Sequence, residues 1–129
     1  MAKRLADFVA DARRRIQEIK PDDLDEMIEN HDDLLIVDVR EPHEYAAGHI
    51  PGALSVPRGL LEGAADLEFK HRNDTLSQAR ARTVVTYCQS GGRSALAADT
   101  LQQMGFDKAH SLSGGLDLWQ AEGMAVVKD

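Results

Sequence analysis

The chain has 129 residues, of which 43% are hydrophobic and 29% charged; that suits one domain with its own core and excludes a disordered or collagen-like chain. A formal net charge of −7 argues against nucleic-acid partners and adhesion to anionic membranes, because both need a dominant basic surface. The apolar runs are too short for a membrane span and the N-terminus lacks the features of a secretory signal, so a cytoplasmic location is expected.

Leu5, Phe8, Val9, Ala12, Ile16 and Ile19 recur at three- and four-residue spacing, which predicts a helix of about four turns with one apolar face. Its other face carries Lys3, Arg4, Arg13, Arg14 and Arg15 interleaved with Asp7, Asp11 and Glu18, a pattern that reads as solvated rather than as a targeting helix. Residues 1–19 are therefore set apart as an extension, and residues 20–129 as the main domain. Pro21, Asp22 and Asp23 suit the first turn of a second helix.

The run Leu34 to Val39 reads as a strand buried on both faces. A short helix through Glu44 and Tyr45 stops at Gly48, a brief strand covers Leu54 to Val56, and a further helix begins at Leu60 and Leu61. The stretch from Ala65 to Arg82 is expected to be loop with possible helical turns. Thr83 to Tyr87 forms the next strand, Ser94 to Met104 a helix closed by Gly105, Ala109 to Leu112 another strand, and Leu116 to Ala121 a last helix. This alternation predicts an α/β fold with a mostly parallel sheet covered on both faces, where ligands bind at the carboxyl ends of the strands.

The single cysteine, Cys88, lies at such an end. One cysteine excludes an internal disulfide and any paired-cysteine motif, leaving a small buried hydrophobe or a thiol that reacts alone. The loop Cys88, Gln89, Ser90, Gly91, Gly92 and Arg93 favours the second. Two adjacent glycines let the backbone curl so that N–H groups point inward and cradle an anion. With the helix N-terminus and the Arg93 guanidinium, they should stabilise a thiolate. A cation in the first turn of a helix opposes the dipole, so Arg93 needs an anion to face.

The loop Cys88-Gln-Ser-Gly-Gly-Arg93-Ser94, preceded by Asp38-Val-Arg-Glu41 and by Glu44-Tyr-Ala-Ala-Gly-His-Ile-Pro-Gly-Ala53 and followed by Gly114-Gly-Leu-Asp-Leu-Trp119, resembles a single-domain rhodanese over about residues 20 to 127. The resemblance implies a rhodanese-like α/β fold with a central, mostly parallel five-stranded sheet, and a sulfurtransferase that uses no metal or organic cofactor. Cys88 would take sulfane sulfur from thiosulfate or a persulfide donor, hold it as a persulfide, and pass it to a thiol or cyanide acceptor or to a sulfur-relay protein. Gln89, Ser90, Gly91, Gly92 and Arg93 would bind the anionic donor.

Asp38 is expected to support the loop. Arg40 and Arg58 are candidates for positive potential near the pocket, with surface pairing to Glu41, Glu44 or Glu62 as the alternative. His49 is expected to be structural. His31, His43, His71 and His110 show no metal-ligand spacing.

Two other functions compete. Cysteine-dependent phosphatases and arsenate reductases also close an oxyanion loop from Cys to Arg, but they place one more residue between the two than the four found here. A noncatalytic rhodanese-like binding module, held to a partner through the first helix, is the other; such modules often lose the cysteine.

Overall fold

The computed structural model describes residues 1–129. Five strands, β1 (Gln17–Ile19), β2 (Leu34–Asp38), β3 (Leu54–Ser55), β4 (Thr83–Tyr87) and β5 (Ala109–Leu112), form one sheet in the order β1-β5-β4-β2-β3. Every pairing is parallel. Seven α-helices cover it: α1 (Leu5–Arg15), α2 (Pro21–Glu29), α3 (Pro42–Ala47), α4 (Leu61–Ala65), α5 (Asp74–Ser77), α6 (Gly92–Gln103) and α7 (Gly115–Ala121). None is long and apolar enough to cross a membrane.

The central strands read as apolar runs because both faces are buried. Leu35, Val37 and Val84 join one core cluster with Leu101 and Phe106, while Ile36, Val85 and Tyr87 join Leu24, Leu112 and Trp119 on the other. Asp38 lies beside Tyr87 in register, so the carboxyl ends of β2 and β4 meet where the strand order reverses direction. An open parallel sheet offers its ligand crevice at such a place.

The first helix is shorter than its apolar spacing predicts. It ends at Arg15, and Ile16 is already extended at φ −109° and ψ 169°. Gln17 to Ile19 then pair with His110 to Leu112 as an edge strand, so ladder hydrogen bonds override a pattern that by itself would continue the helix. Only part of the expected apolar face is covered. Val9, Ala12 and Ile16 pack on Ala95 and Ala98 of α6, whereas Leu5 and Phe8 remain exposed. Arg15 completes the attachment with two bonds to Asp99, 2.9 and 2.8 Å long, which hold that carboxylate below its ordinary pKa.

Candidate active site

Cys88 follows β4 and is 1% exposed, at the floor of the loop that leads into α6. Its Sγ accepts hydrogen bonds from the Gly91 N–H at 3.1 Å and the Ser94 N–H at 3.4 Å. The Ser94 hydroxyl lies 3.5 Å from the same sulfur and 2.9 Å from the Ser111 hydroxyl. The N–H groups of Gln89, Ser90, Gly92 and Arg93 bond to no group of the protein, which leaves four donors at the loop for a bound anion or for water.

Two carbonyls of the loop are held from outside. Cys88 O accepts from Leu116 N at 2.9 Å, and Gln89 O from Asp117 N at 3.0 Å. These donors stand at the start of α7, which approaches so closely that a Cβ on Gly115 would lie 2.5 Å from Cys88 O. Gly115 also has φ +59°, in the left-handed region that glycine occupies without strain. Gly91 turns the loop into α6 at φ +109°.

Asp38 supports the loop through a buried network. Its carboxylate accepts from the Arg40 backbone N–H, from Arg40 Nε and Nη2, and from the Tyr87 hydroxyl at 2.7 Å. The same Tyr87 hydroxyl oxygen accepts the Ile50 N–H. Burial, reinforced by the Asp38 charge, drives the Tyr87 pKa upward, so the phenol remains a donor to Asp38. Arg40 extends the network by donating Nη2 to Gly48 O and Nη1 to the Gln89 side chain. Gln89 then donates to Asp117.

Arg40 stands beside the loop and does not take the surface alternative. Its side chain is 3% exposed and paired with Asp38, with neither Glu41 nor Glu44 as partner, because a guanidinium at the end of a buried strand needs a buried counter-charge. Arg58 takes the surface alternative, donating to Glu62 and to Thr100.

Arg93 differs from expectation. The anion it faces is the Glu44 carboxylate, gripped at 2.7 and 3.1 Å. That pairing holds the Glu44 pKa down to about 2 and raises that of Arg93, to which the Cys88 charge also contributes. Glu44, Arg40, Gln89 and Leu116 line a small cleft of about 200 Å³ beside the loop.

His49 is structural in form, 1% exposed, stacked on Tyr45 at 3.6 Å and bonded through Nδ1 to Tyr45 O. Glu44, Ser94, Ser111 and Asp117 also join the site. Glu44, Ser94 and Asp117 lie within the motifs that carry the resemblance, although no role in the site is expected of them; Ser111 carries no local signal.

The rhodanese-like domain family model matches residues 20–122. A sulfurtransferase of Allochromatium vinosum is 34% identical over 87% of this chain and 95% of its own length. Thiosulfate:glutathione sulfurtransferase of Saccharomyces cerevisiae is 30% identical over 84% of this chain and 81% of its own. In another curated relative, 36% identical, the match spans 52% of that protein. Among solved structures, RPA3614 from Rhodopseudomonas palustris, of unknown function and described as a possible tyrosine phosphatase, superposes with TM-score 0.91 at 29% identity over 98% of this chain and 96% of that one. Fold, loop and sequence agree: this chain is a member of the rhodanese-like family, whose relatives include named sulfurtransferases.

Proposed function

We propose that the protein is a cytoplasmic sulfurtransferase that carries sulfane sulfur as a persulfide on Cys88. The observation that carries this reading is the convergence of the Gly91 and Ser94 N–H groups on Sγ, with further unpaired N–H groups in the same loop. Donors arranged this way can hold the negative outer sulfur of a persulfide without reorganising.

With thiosulfate as donor, the Cys88 thiolate attacks the outer sulfur, and a bond forms between Sγ and that sulfur. The sulfur–sulfur bond of thiosulfate breaks, its electron pair leaves with sulfite, and Cys88 persulfide remains. A second nucleophile, a thiol or cyanide, then removes the outer sulfur and restores the Cys88 thiolate. This is covalent ping-pong catalysis. Gln89, Ser90, Gly91, Gly92 and Arg93 bind the donor, while Asp38 and Arg40 hold Gln89 in place. Arg58, tied to Glu62 and Thr100, acts at most through long-range potential. The names of the relatives from Allochromatium vinosum and Saccharomyces cerevisiae support the same chemistry.

A phosphatase reading finds less support. Four residues between Cys88 and Arg93 make a tight ring for a tetrahedral phosphate. A noncatalytic module would have no use for the intact loop.

Intact-protein mass spectrometry after incubation with thiosulfate tests the proposal. The wild type should gain one sulfur that cyanide removes as thiocyanate, and Cys88→Ser should gain none while keeping its fold. A wild type that gains no sulfur from thiosulfate or from a persulfide donor would sink it.

A further inference from the structure

Between α1 and the Cys88 loop runs a groove of about 620 Å³, lined by Leu5, Val9, Arg13 and Arg14 on one side and Ser90 and Gly92 on the other. It touches the loop at Ser90 and Gly92, and its α1 wall lies outside the residues matched by the family model, which start at 20. The contact is close. A Cβ on Gly92 would lie 3.7 Å from Val9 Cγ2, and one on Gly91 would lie 3.4 Å from Arg13 Nη2. Arg13 is therefore brought to the rim of the loop whose Gly91 N–H bonds to Sγ.

The local charge runs against that of the molecule. Residues 3–15 carry five cations and two carboxylates in a chain of net charge −7. Arg14 is paired with Asp11, whereas the carboxylate neighbour of Arg13, Glu18, stands 3.6 Å from Nε. Arg13 makes no hydrogen bond and is 44% exposed; its ion pair with Glu18 is loose and runs through Nε, which leaves the two Nη groups for a ligand.

We propose that this groove seats the sulfur acceptor, and that the acceptor is a small thiol bearing a carboxylate, held by Arg13. The inference rests on the persulfide reading above and adds the place and chemistry of the second substrate. The groove is open to solvent along its length and has room for a small organic ligand larger than thiosulfate. The apolar wall of Leu5 and Val9 suits the carbon stem of such a thiol, and Arg13 suits its carboxylate. The thiol end then points toward Ser90 and Gly92. There its thiolate attacks the outer sulfur of the Cys88 persulfide and a new sulfur–sulfur bond forms. The bond from Sγ to that sulfur breaks, its electron pair stays on Sγ, and the acceptor leaves as a persulfide.

The test isolates this half-reaction. Persulfide-loaded protein, freed of donor, is discharged with mercaptosuccinate as the carboxylated thiol and with 2-mercaptoethanol as the neutral one, and loss of the added mass is followed in time. Arg13→Gln should lower the rate ratio of mercaptosuccinate to 2-mercaptoethanol by about fivefold, the scale of one partly exposed ion pair. Lys70→Gln, the same charge change on an exposed residue outside the groove, should leave the ratio as in the wild type. An unchanged ratio in Arg13→Gln, or an equal fall in Lys70→Gln, overturns the proposal while the persulfide chemistry stands. Failure of the wild type to load any sulfur overturns both.

Discussion

Arg93 and Glu44 stand 49 positions apart and meet through two hydrogen bonds, 2.7 and 3.1 Å long. The loop that gathers N–H donors around Cys88 therefore ends in an arginine whose charge is already offset. Glu44 comes from the start of α3, where its carboxylate also accepts the Glu41 N–H and so is fixed in direction. The pair orients the guanidinium at the rim of the loop, and it limits the positive potential that an anionic donor meets.

This arrangement makes the single and double substitutions unequal. Arg93→Ala leaves a bare Glu44 carboxylate near the loop, so persulfide formation from thiosulfate should slow by about tenfold or more. Adding Glu44→Gln to Arg93→Ala should recover part of that loss, by about threefold. Rates of sulfur loading from thiosulfate, taken alongside a neutral donor that should be much less affected, provide the check. Equal losses for both donors, or no recovery in the double variant, would count against an electrostatic role.

The same pair predicts a response to acid. Because Arg93 lowers the Glu44 pKa from 4.5 to about 2, the folded protein binds a proton at Glu44 less readily than the unfolded chain. The resulting stability is fully present above pH 4.5. It is lost as the pH falls through the window down to about 2. The pair is partly solvated, and its contribution is about 1 kcal/mol after screening. Urea unfolding across this window should show the wild type losing more stability than Glu44→Gln; parallel curves would mean that the pair contributes nothing.

The strands and the cysteine loop were legible because each depends on neighbouring residues. Leu34 to Val39 and Thr83 to Tyr87 announce buried strands by composition, and the glycines after Cys88 announce a turn. What escaped depends on distant partners. Gln17 to Ile19 become a strand only because β5 offers an open edge. Arg40 finds Asp38, two residues back, through burial that a sequence does not display. The Arg93 partner comes from another helix, and the closeness of Arg13 to Gly91 follows from how α1 crosses α6.

The buried network under the loop should be far less tolerant than the rim. Asp38→Asn removes the counter-charge of an Arg40 side chain that is 3% exposed, and should cost about 3 to 5 kcal/mol of stability. Tyr87→Phe leaves the Ile50 N–H without its acceptor and removes one bond to Asp38, a loss of about 1 to 3 kcal/mol. Chemical denaturation of the two variants measures the order; a Tyr87→Phe protein weaker than Asp38→Asn would show that the hydroxyl, and not the ion pair, holds this corner together.

Two loop-facing glycines separate backbone demand from simple proximity. Ala at Gly115 would set its Cβ 2.5 Å from Cys88 O and 2.7 Å from Gln89 C, at φ +59°. The start of α7 would have to withdraw from the carbonyls it holds, lengthening the bonds from Leu116 N and Asp117 N and freeing the loop to turn its N–H groups away from Sγ. Gly115→Ala should therefore lower both stability, by about 1 to 3 kcal/mol, and the rate of persulfide formation. Gly92 has an ordinary φ, and a Cβ there would meet only Val9 Cγ2 at 3.7 Å, so Gly92→Ala should change stability by no more than about 0.5 kcal/mol. Thermal unfolding and single-turnover sulfur loading distinguish the pair. If Gly115→Ala loads sulfur at the wild-type rate, the brace from α7 is dispensable and the Gly91 and Ser94 donors hold Sγ by the turn alone.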